Sequence, residues 1–137
     1  MHIFMKKHAQ TFKSLGDETR LKILWLLAQR QELCVCDIVE VLGITQSKAS
    51  RHLRHLYHLG WVADRRDGLW MYYRLAVAPR SLEEKLVNLL LDIMDQQPDM
   101  QQLLARLSCY LEAKQLSRCP QKGNAYVQSL SHNLQDI

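Results

Sequence analysis

The sequence predicts a mainly α-helical (α+β) fold: a winged helix-turn-helix with a two-stranded wing and terminal helices that serve dimerisation. Three observations support this. Two helical segments meet at a tight turn around Gly43. A hairpin signal, Asp67-Gly68, follows them between two strand-like runs. The excess positive charge of the chain lies in the same region.

The first two helices are predicted from apolar spacing and from residues suited to helix ends. Apolar side chains recur at helical intervals over residues 5–15, and Gly16 ends that segment. Asp17 is a good N-cap for a second helix over residues 18–28, which carries a broad apolar face. Both helices lead into the predicted helix-turn-helix.

The predicted DNA-reading unit follows. A short helix over residues 34–42 ends at Gly43, which suits a left-handed cap. Thr45 caps the predicted recognition helix, residues 46–59, and two strands then form a wing over about residues 61–75.

Two further helices are predicted over residues 82–94 and about 99–116. The terminal helices, 5–15 and 82–96, carry more apolar surface than one small core needs, so we expect a two-fold homodimer. Residues 1–117 then form the dimeric winged helix-turn-helix domain, and residues 118–137 form a C-terminal tail.

Charge places the expected nucleic-acid contacts. Residues 43–74 hold six Lys and Arg against two Asp, an excess equal to the +4 of the whole chain. A locally basic segment indicates a local anionic partner, and double-stranded operator DNA fits the predicted fold. The expected contacts lie on the recognition helix and at the wing tip: Thr45, Gln46, Ser47, Lys48, Ser50, Arg51, His52, Arg65 and Arg66.

No apolar run approaches the roughly 20 residues of a membrane span. The first 15 residues contain three lysines and lack the apolar block of a secretory signal. We therefore expect a cytoplasmic protein without a membrane partner, whose four cysteines are reduced.

Cys34 and Cys36 stand at the start of the predicted helix 34–42, in the run Glu-Leu-Cys-Val-Cys-Asp. Thiolates are soft ligands that select thiophilic ions. Residues two apart on a regular helix point roughly 200° away from each other, so joint binding would require the first turn to unwind. Such unwinding would weaken DNA binding. The simpler alternative is that both cysteines fill the core.

Several segments together closely resemble the ArsR/SmtB family of metal-responsive repressors over about residues 10–76. They are Phe-Lys-Ser-Leu-Gly-Asp-Glu-Thr-Arg-Leu from Phe12, Glu-Leu-Cys-Val-Cys-Asp from Glu32, Gln-Ser-Lys-Ala-Ser-Arg-His-Leu from Gln46, and Asp-Gly-Leu-Trp-Met-Tyr-Tyr-Arg-Leu from Asp67. The resemblance implies a homodimeric repressor that a metalloid releases from a resistance operon. The cysteine box is similar to the inducer site of the arsenical-resistance repressors, so the implied inducer is arsenite or antimonite.

The sequence departs from that pattern at Val39, where the arsenite box has a third cysteine. Cys109 and Cys119 are the other protein thiols that could supply the missing sulfur. A small external thiol, water or an organoarsenical needing two sulfurs would also complete the site.

Other functions stay open at this point. A cadmium- or lead-responsive repressor, a redox-sensing repressor that forms disulfides, and a DNA-binding protein without a ligand share the same fold. An enzyme is not expected, because a thiol oxidoreductase would show Cys-x-x-Cys at a helix start in an α/β fold.

Overall fold

The computed structural model describes residues 2–117, which form six helices and three short strands. In chain order these are α1 (His2–Ser14), α2 (Glu18–Gln29), β1 (Leu33–Cys34), α3 (Val35–Leu42), α4 (Gln46–His58), β2 (Val62–Asp67), β3 (Trp70–Leu75), α5 (Leu82–Met94) and α6 (Pro98–Ser117). The predicted fold class is confirmed. Cys119 and the predicted tail, residues 118–137, lie outside the described residues.

Helix α2 is the centre of the fold. Five consecutive side chains from Ile23 to Leu27 are at most 2% exposed, so the helix is covered on more than one face. Neighbouring α4, α5 and β3 all pack against it. Asp17 is the N-cap of α2, as predicted, because its carboxylate accepts a hydrogen bond from the Arg20 N–H at 3.0 Å. The core therefore grows outward from α2.

The helix-turn-helix consists of α3 and α4. Gly43 ends α3 in the left-handed conformation (φ 65°, ψ 36°) and donates its N–H to the Val39 carbonyl at 3.0 Å. Thr45 then caps α4 by accepting a hydrogen bond from the Lys48 N–H at 3.1 Å. Both predicted end signals are confirmed.

The sheet is larger than predicted. Its strand order is β1-β3-β2, and both pairings are antiparallel. The sequence predicts the β2–β3 wing but places Cys34 in a helix, whereas Leu33 and Cys34 form a strand paired with Tyr73 and Tyr72. Two residues are too few to show the alternating pattern of a strand, which is why β1 was missed.

The wing turn also differs from the prediction. Asp67 pairs with Trp70, so the two turn residues are Gly68 and Leu69 rather than Asp67 and Gly68. Gly68 has φ +60°, and positive φ at the first of two turn residues is the requirement of a type II′ hairpin. The hairpin signal was read correctly, but its register is shifted by one residue.

Two buried indole N–H groups connect distant parts of the chain. Trp61, just before β2, donates to the Ser14 hydroxyl at 2.9 Å. Trp25 of α2 donates to the Asp95 carboxylate at the end of α5 at 2.8 Å. These bonds fix α1 to the wing and α2 to α5.

The last helix, α6, packs on α3. Leu107 anchors it with a side chain that has no exposed surface. No helix within residues 2–117 has the length and apolar character to cross a membrane.

Candidate thiol site and nucleic-acid interface

The start of α4 presents most of the predicted DNA contacts. Thr45, Gln46, Ser47 and Arg51 are exposed, and Lys48 and Ser50 are half-buried. These side chains belong to the N-terminal part of the second helix of the helix-turn-helix, which is the part that meets base edges in such proteins.

His52 does not lie on the exposed face of α4, where the sequence placed it among the DNA contacts. It is 7% exposed, so it is not part of the outer face of α4. Its Nδ1 lies 3.4 Å from an Arg20 guanidinium nitrogen and its Nε2 lies 4.0 Å from the Asp17 carboxylate. The spacing of Ala49, His52 and Leu56 shows the reason, since positions three and four apart share a helix face. Burial lowers the pKa of His52 below 6.5, and the positive charge of Arg20 adds to this against the attraction of Asp17.

The two arginines predicted to contact DNA from the wing differ from each other. Arg65 donates two hydrogen bonds to the Glu32 carboxylate, at 2.6 and 3.0 Å, and its guanidinium lies 4.7 Å from the centre of the Tyr72 ring. Arg66 is exposed and has no ion pair among residues 2–117. Of the two arginines predicted to contact DNA from the wing, Arg66 is therefore the one whose charge is not engaged by an ion pair among those residues.

Arg54 is a basic residue of α4 that the sequence reasoning left out. It pairs with Asp64 of β2 at 3.2 Å and lies 4.7 Å from the centre of the Tyr57 ring. Its spacing from Ser50 and Arg51 could have indicated that it shares the exposed face. The pair connects α4 to the wing.

The two cysteines meet without any unwinding, contrary to the prediction. Cys34 is not helical but is the N-cap of α3, with extended φ −73° and ψ 152°. Its sulfur accepts hydrogen bonds from the Cys36 N–H at 3.3 Å and from the Cys36 thiol at 2.7 Å. The 200° argument applies to two helical residues, and here only Cys36 is helical.

Asp37 completes the cap. Its Oδ2 accepts the Cys34 N–H at 2.8 Å, which forms a capping box with the Cys34 sulfur as the other member. The pair is largely enclosed, since Cys34 is 1% exposed and Cys36 is half-buried. Burial, the hydrogen bond to Cys34 and the charge of Asp37 raise the pKa of the Cys36 thiol to about 11. The Cys36 thiol is therefore protonated at neutral pH.

Helix α6 contributes two residues that the sequence reasoning missed. Lys114 places its Nζ 2.6 Å from the Asp37 Oδ1 and 3.5 Å from the Cys36 sulfur. Tyr110 lies beside it, and burial, followed by the charges of Cys36 and Asp37, raises the pKa of the phenol to about 12. A signal for Lys114 was present, since it follows Leu107 and Leu111 at helical spacing on the apolar stripe.

The cysteine pair and the expected DNA contacts share one groove. A cavity of about 810 Å³ is lined by the thiol pair, by one face of α4 and by the wing. The α4 and wing residues in its wall include Gln46, Ser50, Arg54, Arg66 and Trp70. A ligand on the sulfurs would therefore lie next to side chains that are predicted to contact DNA.

Two soft donors in contact, at the N-terminus of a helix and open to a groove, fit a thiophilic ligand. The third donor is not assembled, because within residues 2–117 no three His, Cys, Asp or Glu side chains form a metal-binding cluster. Cys109 of α6 is a half-buried free thiol and does not complete such a cluster with the pair.

The sequence model of one protein family, described as "Bacterial regulatory protein, arsR family", matches residues 17–64 of this chain. The arsenical resistance operon repressor of Bacillus subtilis is 42% identical over 71 residues, which are 52% of this chain and 68% of that protein. This chain belongs to the ArsR family.

Other relatives agree with this family assignment. The arsenical resistance operon repressor of Escherichia coli is 51% identical over 67 residues, 49% of this chain and 57% of that protein. A cadmium resistance transcriptional regulatory protein of Staphylococcus aureus, a CadC homolog, is 43% identical over 67 residues, 49% of this chain and 55% of that protein. The match thus spans between about half and two thirds of these ArsR-family relatives.

A solved structure shows the same fold. The homodimeric winged helix-turn-helix DNA-binding domain Mb0332 of Mycobacterium bovis superposes with a TM-score of 0.59 at 32% identity. The superposition covers 71% of this chain and 86% of that one. These ArsR-family proteins are regulators and not enzymes, as the sequence predicts for this chain.

Proposed function

We propose that this ArsR-family protein is a transcriptional repressor that binds operator DNA as a homodimer and is released by trivalent arsenic or antimony. One observation carries the proposal: the sulfurs of Cys34 and Cys36 are in contact at 2.7 Å on a groove shared with α4 and the wing. The names of the two arsenical-resistance relatives support this inducer. The cytoplasm is the corresponding location, because DNA is the partner.

Trivalent arsenic can bind thiols that still carry their protons. Arsenite at neutral pH is an uncharged arsenic trihydroxide. Each thiol can replace one hydroxide, so that two As–S bonds form, two As–O bonds break and two water molecules leave, with no change of oxidation state. No net proton is released, so the raised pKa of Cys36 does not oppose this exchange.

The two sulfurs are near enough to bind one ligand together. Two thiolates on one tetrahedral zinc, with Zn–S of about 2.3 Å, lie about 3.8 Å apart, and the sulfurs of Cys34 and Cys36 are already in contact. Because Cys34 caps α3 and pairs with Tyr72 of β3, a ligand on its sulfur acts on the helix-turn-helix and on the wing together.

The dimer is proposed to form through α1 and α5. Large apolar side chains remain exposed on both helices: Phe4 (61%), Met5 (64%) and Phe12 (55%) on α1, and Leu89 and Ile93 (both 55%) on α5. The two helices are in contact, since the Thr11 hydroxyl reaches the Glu83 carboxylate at 3.5 Å. A second copy would cover these exposed apolar side chains.

The third donor to arsenic is proposed to come from Cys109 or Cys119, or from an external thiol or water. Substitution separates these choices. Loss of arsenite affinity in Cys109→Ser or Cys119→Ser would identify that residue, and no change in either would indicate an external donor.

The function is tested with reduced full-length protein on a fluorescent fragment of its promoter, by anisotropy during titration with arsenite. Wild type should lose DNA affinity by a factor in the allosteric range of about 5- to 150-fold. Cys34→Ser/Cys36→Ser should bind the fragment as tightly as wild type does, and arsenite should not change its DNA affinity. Lys22→Gln, on α2 where Lys22 pairs with Glu18, is the control and should respond to arsenite like wild type. Continued release of the double variant would overturn the proposal.

Two alternatives rest on particular observations. The cadmium-resistance relative favours a cadmium- or lead-responsive repressor, and the same titration with those ions tests it. The sulfur contact also favours a redox-sensing repressor, but the raised pKa of Cys36 works against attack on an oxidant, because the thiolate is the reactive form.

A further inference from the structure

Asp37 is a third electron donor beside the thiol pair, and both of its oxygens are already engaged. Oδ2 accepts the Cys34 N–H at 2.8 Å, and Oδ1 accepts the Lys114 ammonium at 2.6 Å. Oδ1 also lies 3.8 Å from the Cys36 sulfur. The residue is 3% exposed, so water cannot easily replace either partner.

Lys114 reaches this place from α6, which packs on α3. Its side chain is 16% exposed, and its Nζ is 3.5 Å from the Cys36 sulfur and 6.0 Å from the centre of the Tyr110 ring. The ion pair with Asp37 holds the ammonium group at the edge of the thiol pair.

This arrangement has different consequences for two classes of thiophile. A divalent cation gains from a carboxylate ligand, because Asp oxygen joins Cys sulfur in zinc-type sites. Here it would have to displace an ammonium group from Asp37 and then lie close to that positive charge. Uncharged arsenic or antimony hydroxide meets no such repulsion and needs no carboxylate.

We propose that Lys114 is a specificity-determining residue that masks Asp37 and so selects uncharged thiophilic hydroxides over divalent cations. The proposal rests on the proposed binding of inducer by Cys34 and Cys36. It assigns α6 a part in ligand choice, through a residue that does not itself bind the inducer.

The test is a pair of titrations on reduced full-length protein, one with cadmium chloride and one with arsenite, followed by sulfur-to-ligand absorption in the ultraviolet. Lys114→Gln should bind cadmium at least about tenfold more tightly, a gain of about 1.4 kcal/mol. Arsenite affinity should change by less than a factor of about three, well below the tenfold change expected for cadmium. The result is thus a change in the ratio of two affinities, which a merely structural role would not produce.

Three variants control the experiment. Lys22→Gln removes one lysine charge on α2, where Lys22 pairs with Glu18, and should leave both affinities unchanged. Lys114→Arg keeps the charge and should resemble wild type. Asp37→Asn/Lys114→Gln has no carboxylate to unmask and should lose the cadmium gain. Lys114→Met serves as a second single variant if Lys114→Gln proves unstable by circular dichroism.

Equal changes of both affinities in the single variants, or a cadmium gain that persists in the double variant, would overturn the role of Lys114. Failure of the proposed function gives a different result. In that case wild type and Cys34→Ser/Cys36→Ser would show the same weak absorption change with either ligand.

Discussion

Cys34 pairs with Tyr72 in the sheet, so the residue that caps α3 also belongs to the strand ladder of the wing. Tyr72 in turn pairs with Arg65 of β2. A ligand at the Cys34 sulfur therefore has two short routes to the predicted DNA contacts, one through the start of α3 into α4 and one through β3 into the wing tip. Neither route requires α3 to unwind.

Arg66 should matter more for DNA affinity than Arg65. Arg66→Gln is expected to reduce the slope of log affinity against log salt by about 0.9, the loss of one phosphate contact. Arg65→Gln should change the slope less, because Glu32 already holds the Arg65 charge at 2.6 Å. Salt-dependent anisotropy measures both slopes.

Glu32→Gln is the companion variant. It removes the partner of Arg65 and should tighten DNA binding at low salt. A larger loss of slope in Arg65→Gln than in Arg66→Gln would show that the Glu32 pair opens on DNA.

The buried imidazole of His52 should make stability depend on pH. Its pKa lies below 6.5 in the folded protein, so between the two values the unfolded chain binds more protons. The free energy of unfolding should therefore fall as the pH drops below about 6.5, the unfolded value, and level off below the folded pKa. Urea unfolding at a series of pH values measures this.

The matched variants are His52→Gln and His58→Gln, the second at an exposed position of the same helix. His52→Gln should flatten the pH dependence, and His58→Gln should keep the wild-type curve. The same slope in all three proteins would mean that His52 is not responsible.

The bond between Trp61 and Ser14 should carry measurable stability. Ser14 is 1% exposed and is the acceptor of the Trp61 indole N–H at 2.9 Å. Ser14→Ala leaves this buried donor without a partner, which costs about 1–3 kcal/mol. Denaturant unfolding should show that loss, whereas Ser47→Ala on the exposed start of α4 should stay within about 0.5 kcal/mol. An effect of equal size at both positions would argue against a special role for this bond.

The dimer surface is tested by adding charge to it. Phe12→Glu or Leu89→Glu should weaken self-association by at least about tenfold, which corresponds to 1.4 kcal/mol. Sedimentation over a range of concentrations measures the association. Leu69→Glu adds the same charge at the wing tip, where Leu69 is 98% exposed, and should leave the dimer unchanged. Dimers of undiminished affinity in both α1 and α5 variants would place the interface elsewhere.

The sequence predicted those elements whose signals are local. Gly43 and Thr45 mark the ends of α3 and α4 through backbone conformation and capping, which need no knowledge of the rest of the fold. The wing followed from a hairpin signal in the same way. Its register shifted because the sheet pairing of Asp67 with Trp70 decides which residues turn.

The site was predicted less completely, since its geometry depends on residues far apart in the chain. The pairing of Cys34 with Tyr72 makes Cys34 extended, and that removes the helical angle on which the unwinding argument relied. The helical spacing of Lys114 indicates which face of α6 it occupies, but not that it meets Asp37, which lies 77 positions away in the chain. His52 was predicted to contact DNA because adjacent residues of α4 were, although its spacing from Ala49 and Leu56 already indicated burial.

The most direct test of the account is the reciprocal coupling between operator DNA and arsenite on wild-type protein. Arsenite affinity is measured with and without saturating operator, and operator affinity with and without saturating arsenite. Linkage requires the two ratios to be equal, and the account predicts that both exceed about fivefold in the direction of mutual weakening. Arsenite bound at Cys34 and Cys36 with operator affinity unchanged would contradict it.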